Sequence, residues 1–149
     1  MAAYMAGLGS RPDLILCSTA VRARQTLAPL LDRLAPAPAA SLETGLYLAS
    51  EETLLERLQA LPAEVAAVVV IGHNDGIWEL ATRLAGTGSG ALLGALRERY
   101  PTGALAILEA SVERWQNLAA GGATLTAFVC PRHLGADGKA TFGVFDPES

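Results

Sequence analysis

The stretch Val65-Ala66-Ala67-Val68-Val69-Val70-Ile71 constrains this chain more than any other. Its apolar, largely β-branched character shows no alternation with polar residues. That pattern predicts a strand covered on both faces, central in a sheet with helices on either side. The apolar run through Gly72 is eight residues long, too short to span a bilayer. Gly72-His73-Asn74-Asp75-Gly76 then breaks the strand, and the last three residues read as a turn.

Other segments fit an alternation of strands and helices. Leu14-Ile15-Leu16-Cys17 is a short buried-strand candidate, and Ser18-Thr19 supplies N-cap chemistry. A helix is predicted from Ala20 to Leu34, with Leu27, Leu30, Leu31 and Leu34 on one stripe and Pro29 kinking it. Ala35 to Ala40 reads as a loop, and Leu42 to Leu48 as irregular, part strand. Ser50 opens a helix running to about Leu61, with Glu51 and Glu52 in its first turn. Further helices are expected at Ile77 to Leu84 and Leu92 to Arg99, separated by a glycine loop from Gly86 to Gly90. Gly103 to Ala110 and Ala123 to Cys130 read as strands. Met1 to Leu8 resembles the last turns of an amphipathic helix ended by Gly7 and Gly9. No repeat or internal boundary is visible. The fold class is therefore α/β, with an antiparallel component late in the chain.

Composition narrows the functional classes. Hydrophobic residues make up 51% of 149, and mean hydropathy is +0.32, enough for one sizeable core and incompatible with disorder. The charge of −4 comes with no basic block, so neither nucleic acid nor an anionic membrane is an expected partner. Cys17 and Cys130 stand far apart, and the histidines are His73 and His133 alone. A disulfide scaffold or Cys/His zinc site is not expected; no metal or cofactor is implied, and a reducing cytoplasm is the expected compartment.

Two strand-to-helix junctions carry the chemistry. In open α/β sheets ligands lie beyond the carboxyl ends of strands, where helix N-termini favour anions. Arg22 falls in the first turn after the Leu14–Cys17 strand and could present a forked guanidinium to such an anion; a solvated surface arginine is the plain alternative. Arg24 lies roughly 200° further around the helix and should point elsewhere. His73 follows the Val65–Ile71 strand into the same crevice, where it could hydrogen-bond a phosphoryl oxygen or move a proton. A histidine bonded to a backbone carbonyl is the alternative there. Cys17 stands five residues before Arg22 and seven before Arg24, each one residue away from a cysteine-phosphatase loop, and reads as a core residue. Gly86-Thr87-Gly88-Ser89-Gly90 lacks the Lys-Ser/Thr of a P-loop. Trp78 and Trp115 read as packing residues, and His133 as peripheral.

Ser18-Thr19-Ala20-Val21-Arg22-Ala23-Arg24-Gln25-Thr26 resembles the Ser-x-x-x-Arg-Ala-x-Gln-Thr segment of the histidine phosphatase superfamily, nearest to its small SixA-type phosphohistidine phosphatases. Val70-Ile71-Gly72-His73-Asn74 resembles the Gly-His-Asn segment of the same family. Tyr100-Pro101-Thr102-Gly103-Ala104 and Pro131-Arg132 are similar to its later segments. The likeness runs to about Leu134. It implies a phosphoglycerate-mutase-like fold with a mixed, mostly parallel sheet and flanking helices. It also implies phosphatase activity on phosphohistidine or a small phosphate ester, through a phosphohistidine intermediate. Arg22 and His73 match the family's second arginine and second histidine, which bind phosphoryl oxygens, and Ser18 falls in the same phosphate-binding segment. The substrate would be a phosphorylated protein or a small phosphate compound.

The chain departs from the family pattern at one place. The family's nucleophilic histidine sits in an Arg-His-Gly or Arg-His-Ala motif, and no histidine precedes His73. The motif would belong to a strand, loop and half helix of on the order of 30 residues before Met1. The expectation is a single histidine-phosphatase-like domain over residues 1–149, N-terminally truncated, whose central strand is missing and whose sheet edges are open. Residues 1–149 alone are expected to be inactive. A catalytically inactive module that binds phosphorylated partners is the rival reading. Glu43 and Asp75 are the weak candidates for a general acid.

Overall fold

A computed structural model of the chain describes residues 1–8 and 11–134. Six strands form two three-stranded sheets: β1 (Leu14–Ser18), β2 (Ala39–Glu43), β3 (Val68–Ile71), β4 (Ala85–Thr87), β5 (Leu105–Ala110) and β6 (Ala123–Val129). The first sheet has the order β2-β1-β3 and is wholly parallel. In the second, β4-β6-β5, β4 runs parallel and β5 antiparallel to β6. Five helices surround them: α1 (Ala2–Ala6), α2 (Val21–Arg33), α3 (Glu51–Gln59), α4 (Asn74–Leu84) and α5 (Gly90–Glu98). This mixed, mostly parallel arrangement with flanking helices is the architecture that the family resemblance implies.

The parallel register sets the geometry of the site. Cys17 lies opposite Ile71 and Leu42, so β1, β2 and β3 end at one level, and the segments that follow them emerge on the same side. Helix α2 turns Ala23, Leu27 and Leu30 inward against Ile15, Cys17 and Ile71. Pro29 lies inside this helix on its exposed side, where the missing amide hydrogen removes one intrahelical bond. On the other face, Leu54, Leu55 and Leu58 of α3 and Leu80 and Leu84 of α4 pack with Leu16. Ser50 caps α3 by accepting the amide of Thr53 at 3.2 Å.

Strand β3 differs from its expected setting. Its faces are both packed: Val68 and Val70 against the Leu54 and Leu80 side, Val69 and Ile71 against the Ile15 and Leu27 side. The strand is nevertheless short, starts at Val68 and stands at the margin of its sheet, with Val68, Val69 and Val70 only half-buried. Its outer edge, like the outer edge of β5, lines a cavity of about 1050 Å³ whose walls include Leu80 and Leu84 of α4. A run of three valines predicts packed faces correctly, because face packing is a property of the side chains. Neighbouring strands are a property of the whole sheet, and the run does not report them.

Other boundaries also shift. β2 begins inside the expected 35–40 loop, and the 86–90 loop is instead the strand β4 followed by the start of α5. Gly86 explains this: a Cβ there would meet the Gly121 carbonyl oxygen at 2.1 Å, so only glycine lets β4 lie against that turn. Trp78 and Trp115 are packing residues, each donating its indole N–H at 2.7 Å, to the carbonyls of Leu96 and Val65. Gly9 and the tail beyond Leu134 lie outside the described residues.

Two apolar strand edges bounding one cavity are surfaces for intermolecular pairing. Residues 1–149 are expected to self-associate with rising concentration, read by size-exclusion chromatography with light scattering. A strictly monomeric chain at every concentration would count against open edges.

Candidate functional site

At the end of β1, Ser18 is fully buried and its hydroxyl sits between two partners. It accepts the amide N–H of Ala20 at 3.2 Å and lies 2.9 Å from His73 Nε2. The hydroxyl donates to a neutral Nε2 or accepts from a protonated one, so the contact survives either ionisation state of the ring. Ser18 does not cap α2, contrary to the expectation from sequence; Ala20 is the N-cap residue and has no side-chain bond to offer. The serine joins the first strand end to the second.

His73 is half-buried and occupies the N-cap position of α4, which begins at Asn74. The expected Asn74-Asp75-Gly76 turn is therefore the first turn of a helix. Gly76 permits this arrangement, since a Cβ there would meet the Ala49 carbonyl oxygen at 2.1 Å. Backbone-to-backbone approach at that point presses the segment after β2 onto α4. The same segment carries Leu46, buried at its base, and Tyr47, whose ring meets the His73 ring edge-on with centroids 5.3 Å apart. Leu48, Ala49, His73, Asn74, Asp75 and Gly76 enclose a hollow of about 400 Å³.

Arg22 stands exposed in the first turn of α2. Its backbone carbonyl accepts from the Thr26 hydroxyl at 3.2 Å, and its guanidinium makes no hydrogen bond or ion pair to a described residue. Arg24 is exposed too, and its charge reaches the Cys17 thiol. Burial outweighs that charge and pushes the thiol up, and Cys17 Sγ donates to the Ser18 carbonyl at 3.3 Å. Cys17 is thus a protonated core thiol, as its sequence context suggests, and not a nucleophile.

The acid candidates separate. Glu43 receives a two-pronged contact from Arg57, Nε to Oε1 at 2.7 Å and Nη2 to Oε2 at 2.8 Å, and the Ser41 hydroxyl at 2.9 Å. These bonds, led by that of Arg57, hold its carboxyl below the usual range, which unsuits it for donating a proton. It ties β2 to α3. Asp75 stays in the candidate site, lining the hollow beside His73. His133 is not peripheral: it is buried, its Nδ1 accepts the Cys130 amide at 3.3 Å, and burial with the charge of Arg132 lowers its pKa. It belongs to the short turn Pro131–His133 after β6. No group of three or more His, Cys, Asp or Glu able to hold a metal occurs among the described residues.

No family model matches the chain. Solved structures do. It superposes on a candidate phosphohistidine phosphatase SixA from Agrobacterium tumefaciens with a TM-score of 0.70 and 30% identity, covering 87% of this chain and 75% of that one. The chain belongs to the histidine phosphatase superfamily. A candidate SixA from Nakamurella multipartitia gives a TM-score of 0.73 at 28% identity, over 87% and 80% of the two chains. A SixA solved with tungstate shares the fold, with a TM-score of 0.66 at 24% identity over 88% and 76%. Among curated sequences, an uncharacterized protein of Mycobacterium tuberculosis is 37% identical over 124 residues, 80% of this chain and 74% of that protein. One of Mycobacterium leprae is 34% identical over 119 residues, 79% and 71% of the respective lengths.

Among the sequence-derived site residues, Ser18 and His73 touch each other, and Arg22 lies four positions after Ser18 in the first turn of α2. Tyr47 escaped the sequence reading. Its segment has no regular periodicity, and only the 5.3 Å ring contact reveals its place.

Two variants check these assignments. Ser18→Ala leaves the Ala20 amide and His73 Nε2 short of a buried partner and is expected to cost about 1–3 kcal/mol. The His73 imidazole resonances should move with it, and unmoved resonances would argue against the contact. Glu43→Gln should cost about 1 kcal/mol near neutral pH, since the pair is partly exposed. Glu43 has a lowered folded-state pKa, so its contribution is present above the ordinary carboxylate pKa and disappears as pH falls through the lowered value. Denaturant unfolding of both proteins should therefore differ near neutrality and converge in acid.

Proposed function

We propose that this site binds the phosphoryl group of a phosphohistidine or a small phosphate ester, and that its chemistry is phosphatase chemistry of the histidine phosphatase type. The observation that carries the reading is the part-buried Ser18–His73 contact between two parallel strand ends, in a chain of this superfamily. His73 presents one ring nitrogen to Ser18 and is thereby fixed in orientation. Arg22, whose guanidinium has no partner among the described residues, supplies a forked cation at the N-terminus of α2. Positive, preorganised donors of this kind stabilise a phosphoryl group as charge spreads over its three equatorial oxygens.

The hydrolytic step needs an in-line nucleophile as well. His73 is a poor one in this arrangement, because it flanks the phosphorus as a hydrogen-bonding group. His133, the other histidine of the sequence, is buried against Cys130. These two observations favour a second reading for residues 1–149, a module that binds phosphate without turning it over. In either reading the partner is a phosphorylated protein or a small phosphate compound, and the cytoplasm is the proposed compartment. No helix among the described residues is long and apolar enough to cross a membrane.

One experiment tests both readings. Inorganic phosphate, titrated by NMR or calorimetry, should bind residues 1–149 weakly, and Arg22→Ala should reduce binding at least about tenfold through loss of charge-assisted contacts. Arg24→Ala should change it by less than about twofold. Equal binding by wild type and Arg22→Ala would remove Arg22 from the site. Assayed in parallel on phosphohistidine and an aryl phosphate, residues 1–149 should show no turnover. Turnover lost in His73→Ala would instead make His73 the nucleophile.

A further inference from the structure

We infer that Tyr47 and Leu48 form an apolar collar beside His73 that receives an aromatic ring attached to the phosphoryl group, so that this site prefers aryl-type phosphates to alkyl ones. The inference rests on the phosphate-site reading above and adds to it the residues that choose the substrate's organic part.

The argument starts from where apolar side chains are exposed. Five large hydrophobic residues are prominently exposed among the described ones: Leu8, Val21, Leu42, Tyr47 and Leu48. Four of them sit at or just beyond the carboxyl ends of β1 and β2, the level from which His73 also emerges. Scattered surface leucines need no explanation, whereas apolar side chains gathered around a polar site mark a binding surface. Val21 and Arg22 are adjacent, so the same helix start shows an apolar and a cationic group.

The collar is held open by the backbone. Leu46 is buried and anchors the turn, while Tyr47 is 56% and Leu48 67% exposed. Leu48 adopts φ of +50°, a conformation that costs a leucine energy and needs support from its surroundings. The next residue, Ala49, supplies that support through its carbonyl against Gly76. Folding therefore places two apolar side chains in water at some cost and holds them there.

The geometry fits a flat ring. Tyr47 meets His73 edge-on at 5.3 Å, leaving much of its own ring accessible. A ring carried by a phosphoryl group bound at His73 would lie against that surface, in the range of aromatic pairing worth about 0.5–1.5 kcal/mol beyond area burial. The adjoining hollow of about 400 Å³ is lined by Leu48 and Ala49 together with His73 and the start of α4. Its size suits one small ring.

Calorimetric or NMR titration of residues 1–149 with inorganic phosphate, phenyl phosphate and glycerol phosphate tests the collar. Phenyl phosphate should bind about fivefold tighter than glycerol phosphate or inorganic phosphate. Tyr47→Ala should bring the phenyl-to-inorganic ratio close to one, Tyr47→Phe should keep it, and Leu48→Ser should lower it. Both positions are solvent-exposed, and Tyr47→Phe keeps the test decisive if the alanine variant is unstable. A ratio near one in wild type, or a ratio that survives Tyr47→Ala, overturns the collar and leaves the phosphate site standing. Failure of inorganic phosphate to bind overturns the phosphate-site reading, and the collar with it.

Discussion

Parallel pairing of β1 with β2 and β3 is the constraint on which the remainder depends. The pairing aligns Cys17 with both Leu42 and Ile71, so three chain segments leave the sheet at one height. Ser18 ends β1, Tyr47 and His73 lie in the segments that follow β2 and β3, and the common alignment brings them to one level. Burial of Ile15, Leu16 and Cys17 on both sides of β1 holds the alignment, because a one-residue slip would exchange every side chain between the two cores. The site is thus a by-product of core packing: polar chemistry is confined to the last residue of one strand and to the residues that follow the other two.

Legibility of the fold followed the period of the apolar residues. Leu27 and Leu30 in α2, and Leu54, Leu55 and Leu58 in α3, repeat at helical spacing and are buried as their spacing implies. Boundaries were less legible where contacts between distant backbones decide them. Gly76 reads locally as a turn residue, yet it lies in a helix, and glycine is needed there because Ala49 leaves no room for a side chain. Gly86 similarly reads as loop and belongs to a strand, since Gly121 packs on it. In both cases the deciding atom is tens of residues away and leaves no trace in the neighbouring sequence.

Legibility of the site was uneven for a related reason. His73 lies two residues beyond β3 and Arg22 in the first turn of the helix after β1, positions that local order alone indicates. Ser18 was visible as a polar residue at a helix start, but its role was misjudged: the hydroxyl faces the other strand end and not the amides of α2. Glu43, which could have been an acid, is occupied by Arg57, a residue fourteen positions on that nothing in the spacing singles out. Tyr47 was invisible, because an aromatic in an irregular segment has no period to reveal which way it faces.

The close approach of Ala49 and Gly76 has a consequence for how this site could diversify. It anchors the end of the 46–49 segment through main-chain atoms of Ala49 and Gly76. The hydroxyl and imidazole that hold one another at the strand ends depend on a different set of contacts. The two sets of contacts meet only where the Tyr47 ring lies edge-on against His73. Exchanges at residue 48 would therefore change the surface beside His73 while leaving the main-chain contact between Ala49 and Gly76 in place.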